Sequence, residues 1–327
     1  MLKRLALTLL LVAPALPAAG FELGLPIRCE LGHDCFIQQY VDVDPGPGAR
    51  DFTCGPLSYD GHKGTDFRIV DLEQMRRGVP VTASAAGTVR GIRDGIDDVD
   101  VTTLPPGAMK GRECGNGVAI VHDDGWETQY CHLRKGSVTV RTGDRVAAGD
   151  VLGMVGMSGQ AQFPHVHISV RRNGENIDPY RGDGAGESCG GSYAGLWRKD
   201  VQGLVAYRPG GLMAVGFNDR QFDSSLAEDG RAALASVDRA ATALVLWYRI
   251  YGIREGDVVR MRIVAPDGTE FFTTDRPPNP RNQAQVFAFA GRRSPDGGLQ
   301  AGTYTGSVTM IRNGLPYDRR DTSVVVR

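Results

Sequence analysis

Between about residues 61 and 180 apolar and polar positions alternate in short runs broken by glycine: VPVTASAAGTVRGI, GVAIVHDDGWETQYCHL, VTVRTGDRVAAGDVLGMVG and HVHISVRRNGENI. A period of two is the signature of a strand with one face on a core. Asp-Gly and Asn-Gly dipeptides between such runs read as hairpin turns. The pattern returns from about 200 to 327 in ATALVLWYRIYGI, DVVRMRIVAPDGTEFFTTD, QAQVFAFAGRR and TYTGSVTMIRNGLPYDRRDTSVVVR, with turns at Pro266-Asp267-Gly268 and Asn313-Gly314. Both regions are predicted to be all-β, the second an antiparallel sandwich of immunoglobulin-like type.

A chain of 327 residues is long enough for two domains. The glycine-dense GDGAGESCGGSYAG, 182–195, marks the exit from the first. The expected division is a leader over 1–20, an irregular arm over 21–60, a β-domain over 61–190 and the sandwich over 200–327. Within the first domain DGIDDVDVTTLPPGAMKGRE, 94–113, is too acidic and too interrupted by proline for a core strand, so it is expected as a loop at the rim.

The opening MLKRLALTLLLVAPALPAAG has basic Lys3 and Arg4, an apolar run from Leu5 to Ala15, and small residues at Ala18, Ala19 and Gly20. It reads as a cleaved secretory leader, since the run falls short of the ~20 residues that span a bilayer. No later stretch is predicted to span one. Export to the periplasm or beyond puts Cys29, Cys35, Cys54, Cys114, Cys131 and Cys189 in an oxidising compartment, where disulfides are expected. Cys114 and Cys131 flank the turn Asp123-Asp124-Gly125 and are expected to pair across a hairpin. The other four are expected to tie the arm and the segment near Cys189 to the first domain. The net charge of −1 leaves no footprint for nucleic acid or an anionic membrane surface.

The chemistry lies in the histidines. His62, His132, His165 and His167 fall in three phrases, GHKGTDF, YCHL and PHVHIS, and residues 200–327 hold no histidine. His165 and His167 share one face of a strand. His62 precedes Asp66 by four residues, and Gly61 and Gly64 favour a loop or strand end there. A hydrolytic zinc site takes about three protein ligands and keeps a fourth position open. His62, Asp66 and one histidine of the pair supply that count, which leaves the remaining imidazoles for proton transfer. His33 and His122 lack a partner pattern and are expected at the surface or in the hairpin.

These phrases, in this order, resemble the lysostaphin-type zinc metallopeptidases, which cleave cross-bridge or stem peptides of bacterial peptidoglycan. The resemblance covers about residues 61–180. GHKGTDF matches the His-x-x-x-Asp element, GVPVTASAAGTV the strand after it, GNGVAIVHDDGWETQYCHL the hairpin ending in His-Leu, VRTGDRVAAGDVLGMVGMSGQ the glycine-rich run, and PHVHISVRRNGENIDPY the His-x-His strand. The resemblance implies one zinc ion held by His62, Asp66 and His167, with His132 and His165 as catalytic histidines facing the bound water and the substrate carbonyl. It implies an endopeptidase whose partners are peptidoglycan peptides. Ile168-Ser169 stands where the family usually has Phe-Glu, a departure read as touching no ligand, and the 94–113 insertion is expected to reshape the groove wall. The rival expectation is a catalytically idle wall-binding or regulatory module on the same fold. Such relatives have typically lost ligand or catalytic histidines, whereas all five expected residues are present here. The C-terminal sandwich is expected to serve as a folding partner, or to bind wall polymer or a regulatory protein.

Overall fold

The computed structural model describes residues 20–183, 186, 188–191 and 195–327. The expected leader lies outside the described residues except for Gly20, as does part of the glycine-dense exit. Among the described residues no helix is long and apolar enough to cross a membrane.

The first region contains β1 (Cys35–Gln39), β2 (Thr65–Ile69), α1 (Leu72–Arg77), β3 (Pro80–Thr82), β4 (Gly87–Arg93), β5 (Asn116–Val121), β6 (Trp126–Leu133), β7 (Arg145–Val146), β8 (Val151–Met154), β9 (His165–Arg172) and β10 (Glu175–Ile177). The main sheet runs β1-β2-β9-β6-β5-β4-β7, with β10 folded back on β9 and every pair antiparallel. Strands β3 and β8 form a separate two-stranded sheet.

The period of two gives the main sheet two unlike faces. Phe67 and Ile69 on β2, Val166, Ile168 and Val170 on β9, Tyr130 on β6, and Val118 and Ile120 on β5 are almost wholly buried in one core. Each such side chain contributes roughly 1.5–3 kcal/mol on leaving water. The intervening positions on the opposite face carry Asp66, Arg68, His165, His167, Ser169, Arg171, Gln129 and Glu127. A one-residue slip of β9 would turn its histidines into the core and its valines onto the polar face.

Residues 21–60 depart from expectation. CFIQQ forms β1 at the sheet edge, and Leu23, Ile27, Ile37, Tyr40 and Leu57 belong to the core. The burial of these apolar residues overrides the surrounding glycine and proline. The disulfides are Cys114–Cys131, Cys54–Cys189 and Cys29–Cys35. The first joins the hairpin as expected, and the second ties the arm to the exit segment. The third only closes a local loop, which corrects the expectation that all four remaining cysteines anchor the arm.

The second region contains β11 (Gly211–Asn218), α2 (Ser224–Glu228), β12 (Ser236–Val237), β13 (Ala243–Ile253), β14 (Val258–Val264), β15 (Glu270–Asp275), β16 (Gln283–Arg293), β17 (Gly302–Arg312) and β18 (Leu315–Val326). Its sheets, β11-β13-β16 and β12-β18-β17-β14-β15, enclose a core in which Leu212, Leu246 and Ile250 belong to one and Met261, Ile263, Val308 and Met310 to the other. The molecule is thus all-β apart from short helices.

The other face of β13 meets the first region. Met213 and Tyr251 pack with Phe36. Arg68 and Arg249, both wholly buried, share the carboxylate of Glu228 at the end of α2. Arg68 donates to both Glu228 oxygens, at 2.9 and 2.8 Å, and also to Gln38 and Gln285. Arg249 donates to the Val70 carbonyl at 2.8 Å. Burial, with the charge of Arg68 beside it, pushes the Arg249 guanidinium down to about 10 despite Glu228.

Candidate metal centre

Strand register assembles the site. β9 lies between β2 and β6, with Asp66 directly opposite His167 on one side and Cys131 on the other. His62 enters from the loop before β2, and its Nδ1 faces the Tyr40 carbonyl at 2.7 Å. The Tyr59 ring stacks on the imidazole with centroids 4.4 Å apart. Gly64 makes room for His167, because a Cβ there would lie 2.4 Å from its Nε2.

His132 reaches the site through an irregularity. Asn116 pairs with Leu133 and Val118 with Tyr130, so Cys131 and His132 both oppose Gly117 in a bulge. A Cβ on Gly117 would meet the Tyr130 carbonyl oxygen at 2.5 Å. His132 has φ +63°, the left-handed region that ordinary residues avoid. The neighbouring Cys114–Cys131 disulfide, the His132 N–H bond to the Cys114 carbonyl at 2.8 Å and the Nδ1 contact to the Ser158 carbonyl at 2.7 Å hold it there. The bulge therefore turns His132 toward His165, with ring centroids 4.6 Å apart.

His62 Nε2, Asp66 Oδ1 and His167 Nδ1 converge, separated by 3.2 Å (His62–Asp66), 2.8 Å (Asp66–His167) and 3.1 Å (His62–His167). Tetrahedral ligands about 2.1 Å from a zinc ion stand about 3.4 Å from one another, so the donor set fits such an ion with a small expansion. Two imidazole nitrogens and one carboxylate oxygen are also the ligand types zinc takes. Another close group, Cys29, Asp34 and Cys35, has both sulfurs tied in a disulfide and offers no thiolate.

Hydrogen bonds set the ring tautomers. A carbonyl only accepts, so His62, His132 and His165 donate from Nδ1 to Tyr40, Ser158 and Phe163 respectively, leaving each Nε2 with a lone pair. Burial, followed by the charges of His165 and His167, holds His132 well below the usual histidine range. Burial also lowers His165. For His62 burial acts in the same direction, but the Asp66 charge outweighs it and the net shift is upward. Burial pushes the Asp66 carboxyl up, yet the histidines around it hold it well below the usual carboxylate range. Both shifts favour the neutral imidazole in His132 and His165.

Ser169 was missed by sequence reasoning. His167 Nε2 and Ser169 Oγ lie 2.9 Å apart, and donation from Nε2–H to that hydroxyl leaves the Nδ1 lone pair free for a cation between it and Asp66 Oδ1. This corrects the expectation that the Ile168-Ser169 departure touches no ligand. The spacing signalled it, since residues two apart on a strand share a face. The 94–113 insertion is pinned beside the site: Asp98 accepts from the Met157 and Lys135 N–H groups at 2.7 and 2.9 Å, and Glu113 accepts from Gln160 N–H at 2.8 Å. It thereby braces the segment whose Ser158 carbonyl orients His132. His33 is exposed beside Glu30, and His122 bonds to Ala86 and Thr128, so neither joins the centre.

Residues 60–179 match the model of Peptidase family M23, and over that stretch the lysostaphin-type resemblance holds. The chain is 34% identical over 120 residues to the DD-carboxypeptidase/endopeptidase Mpg of Neisseria meningitidis, covering 36% of this chain and 22% of that protein. It is 42% identical over 121 residues to the glycyl-glycine endopeptidase ALE-1 of Staphylococcus capitis, covering 36% of this chain and 27% of the relative. The matched part thus spans only about a quarter of these relatives' length. Among solved structures, the catalytic domain of the prophage-encoded M23 protein EnpA from Enterococcus faecalis is 25% identical, covering 44% of this chain and 92% of that one with a TM-score of 0.31.

Proposed function

We propose that this protein is an exported, zinc-dependent endopeptidase that hydrolyses peptide bonds in the stem peptides or cross-links of peptidoglycan. The observation that carries the reading is the convergence of His62 Nε2, Asp66 Oδ1 and His167 Nδ1 beside two further imidazoles with free lone pairs. The match to Peptidase family M23 supports the reaction class, a relative named as a peptidoglycan DD-endopeptidase supports the substrate class, and three disulfides support an oxidising compartment.

His62, Asp66 and His167 are the residues that hold zinc on this reading. Bound there, zinc supplies Lewis acidity at the scissile carbonyl and brings the pKa of water toward ~7. The chain's own side chains move the protons. His132 and His165 are anchored through Nδ1 and keep Nε2 as the basic edge, so one accepts a proton from the attacking water. Once protonated, that imidazole is a donor through Nε2–H, first to the developing oxyanion and then to the departing amine. Burial strengthens both interactions, because little water competes for the charge.

The test measures zinc content together with release of soluble muropeptides from purified sacculi. His62→Ala loses zinc and turnover together; His132→Ala keeps zinc and loses about 10²–10⁴ in rate. A chelator abolishes cutting, and added zinc restores it. A zinc-loaded wild type that cuts neither sacculi nor stem peptides overturns the reading, and full activity in His132→Ala removes that residue from the mechanism.

A further inference from the structure

The polar face continues past the metal centre. On β9 it carries His165, His167, Ser169 and Arg171 in turn, while β6 sets Gln129 opposite Ser169 and Glu127 opposite Arg171. Arg171 donates to Glu127 at 2.8 Å and to Gln129 at 2.7 Å. Arg90 on β4 approaches the same Glu127 at 3.1 Å. Two guanidinium groups therefore share one carboxylate, and among the described residues Glu127 is the only ion-pair partner of either. The cluster carries a net positive charge, and each guanidinium retains donors beyond those bonds. It lines an open cavity of about 430 Å³ with Val121, Trp126 and Gln129.

The opposite end of this face is closed. Arg68 lies two residues beyond Asp66 and opposite His165, yet Glu228 and Gln285 of the second region cover it completely. A peptide leaving the centre that way meets protein; toward Arg171 the floor is open, with the Arg171 and Arg90 side chains 28% and 60% exposed.

We propose that Arg171 and Arg90 form a subsite for a carboxylate carried by the peptide substrate. Four residues of strand separate His167 from Arg171, about 13 Å at ~3.3 Å each, so an extended peptide places that carboxylate three to four residues from the scissile bond. The subsite favours stem peptides bearing free carboxylates over uncharged glycine bridges. This deepens the peptidase reading and rests on it.

Two fluorescent stem peptides decide the matter, one with free carboxylates and one fully amidated, titrated into zinc-loaded His132→Ala protein, which binds without cutting. The acidic form binds about tenfold tighter at low salt. Arg171→Gln in that background brings the ratio near one with the amidated peptide unaffected, whereas Glu127→Gln, which removes the internal counter-charge, widens it several-fold. Equal binding of the two peptides, binding of neither, or a preference that survives Arg171→Gln overturns the subsite. Should Arg171→Gln fail to fold, Glu127→Gln decides alone, and an unchanged ratio overturns the proposal. Cutting by wild type is a separate readout: if neither peptide is cut, the peptidase reading fails while the binding ratio still judges the subsite.

Discussion

Arg68 and Arg171 stand on the same face of one sheet, at opposite ends of the histidine series, and their surroundings are opposite. Arg68 is wholly buried under the second region, while Arg171 lies at the open end with Glu127 as its only ionic partner among the described residues. An exposed guanidinium keeps its hydration and needs little help from the protein. A buried one is tolerated only when carboxylates and hydrogen-bond acceptors replace that water. At the closed end Glu228 comes from 160 residues away to do so. The second region is therefore part of the wall around the candidate site, and the two ends differ because only one is covered.

The largest effect is expected at the closed end. Glu228→Gln leaves Arg68 and Arg249 buried without their paired carboxylate, a loss of about 3–5 kcal/mol, measured as a fall in the urea midpoint. A change below about 1 kcal/mol would mean that water already reaches both guanidiniums, and the contrast between the ends would collapse. Next is the paired change of Cys114 and Cys131 to serine. The bridge closes a sequence separation of 17, and its loss lowers stability by about 3 kcal/mol. It also frees the left-handed His132 backbone, so turnover falls while bound zinc is retained. Zinc lost along with turnover would show that the bridge supports the metal ligands at the centre as well as His132.

The alternation that separates His165 and His167 from Val166 and Ile168 is legible in HVHIS, and the Cys114–Cys131 pair is legible in the hairpin turn between them. The pairing of Asp66 with His167 was legible only through the resemblance, because 101 residues separate them and periodicity does not choose a strand's neighbours. The β1 strand was hidden by glycine and proline around CFIQQ, whose burial is settled by the rest of the core. Arg68 gave no sign of its fate, since an arginine among strand residues reads as solvent-facing until a second region covers it. Ser169 was readable by the same period of two that exposed the histidines, but family comparison drew attention to the missing glutamate instead of to the face its replacement occupies.

The smallest expected effect lies between the two ends. Ser169 is the next residue on the polar face after His167, toward Arg171, and its hydroxyl is the partner of His167 Nε2. Ser169→Ala leaves the ring packed against Gly64 but removes the acceptor that keeps the proton on Nε2 and the Nδ1 lone pair free for zinc. Zinc affinity, measured by competition with a chromophoric chelator, should fall about tenfold, and Ser169→Thr should restore most of it by returning a hydroxyl. Stability of the metal-free protein should change little, because the core lies on the other side of β9. An unchanged affinity would show that the His167 tautomer does not depend on Ser169. Ser169 would then belong with Gln129 and Arg171 to the open floor, and the boundary between metal centre and floor would move one residue toward His167.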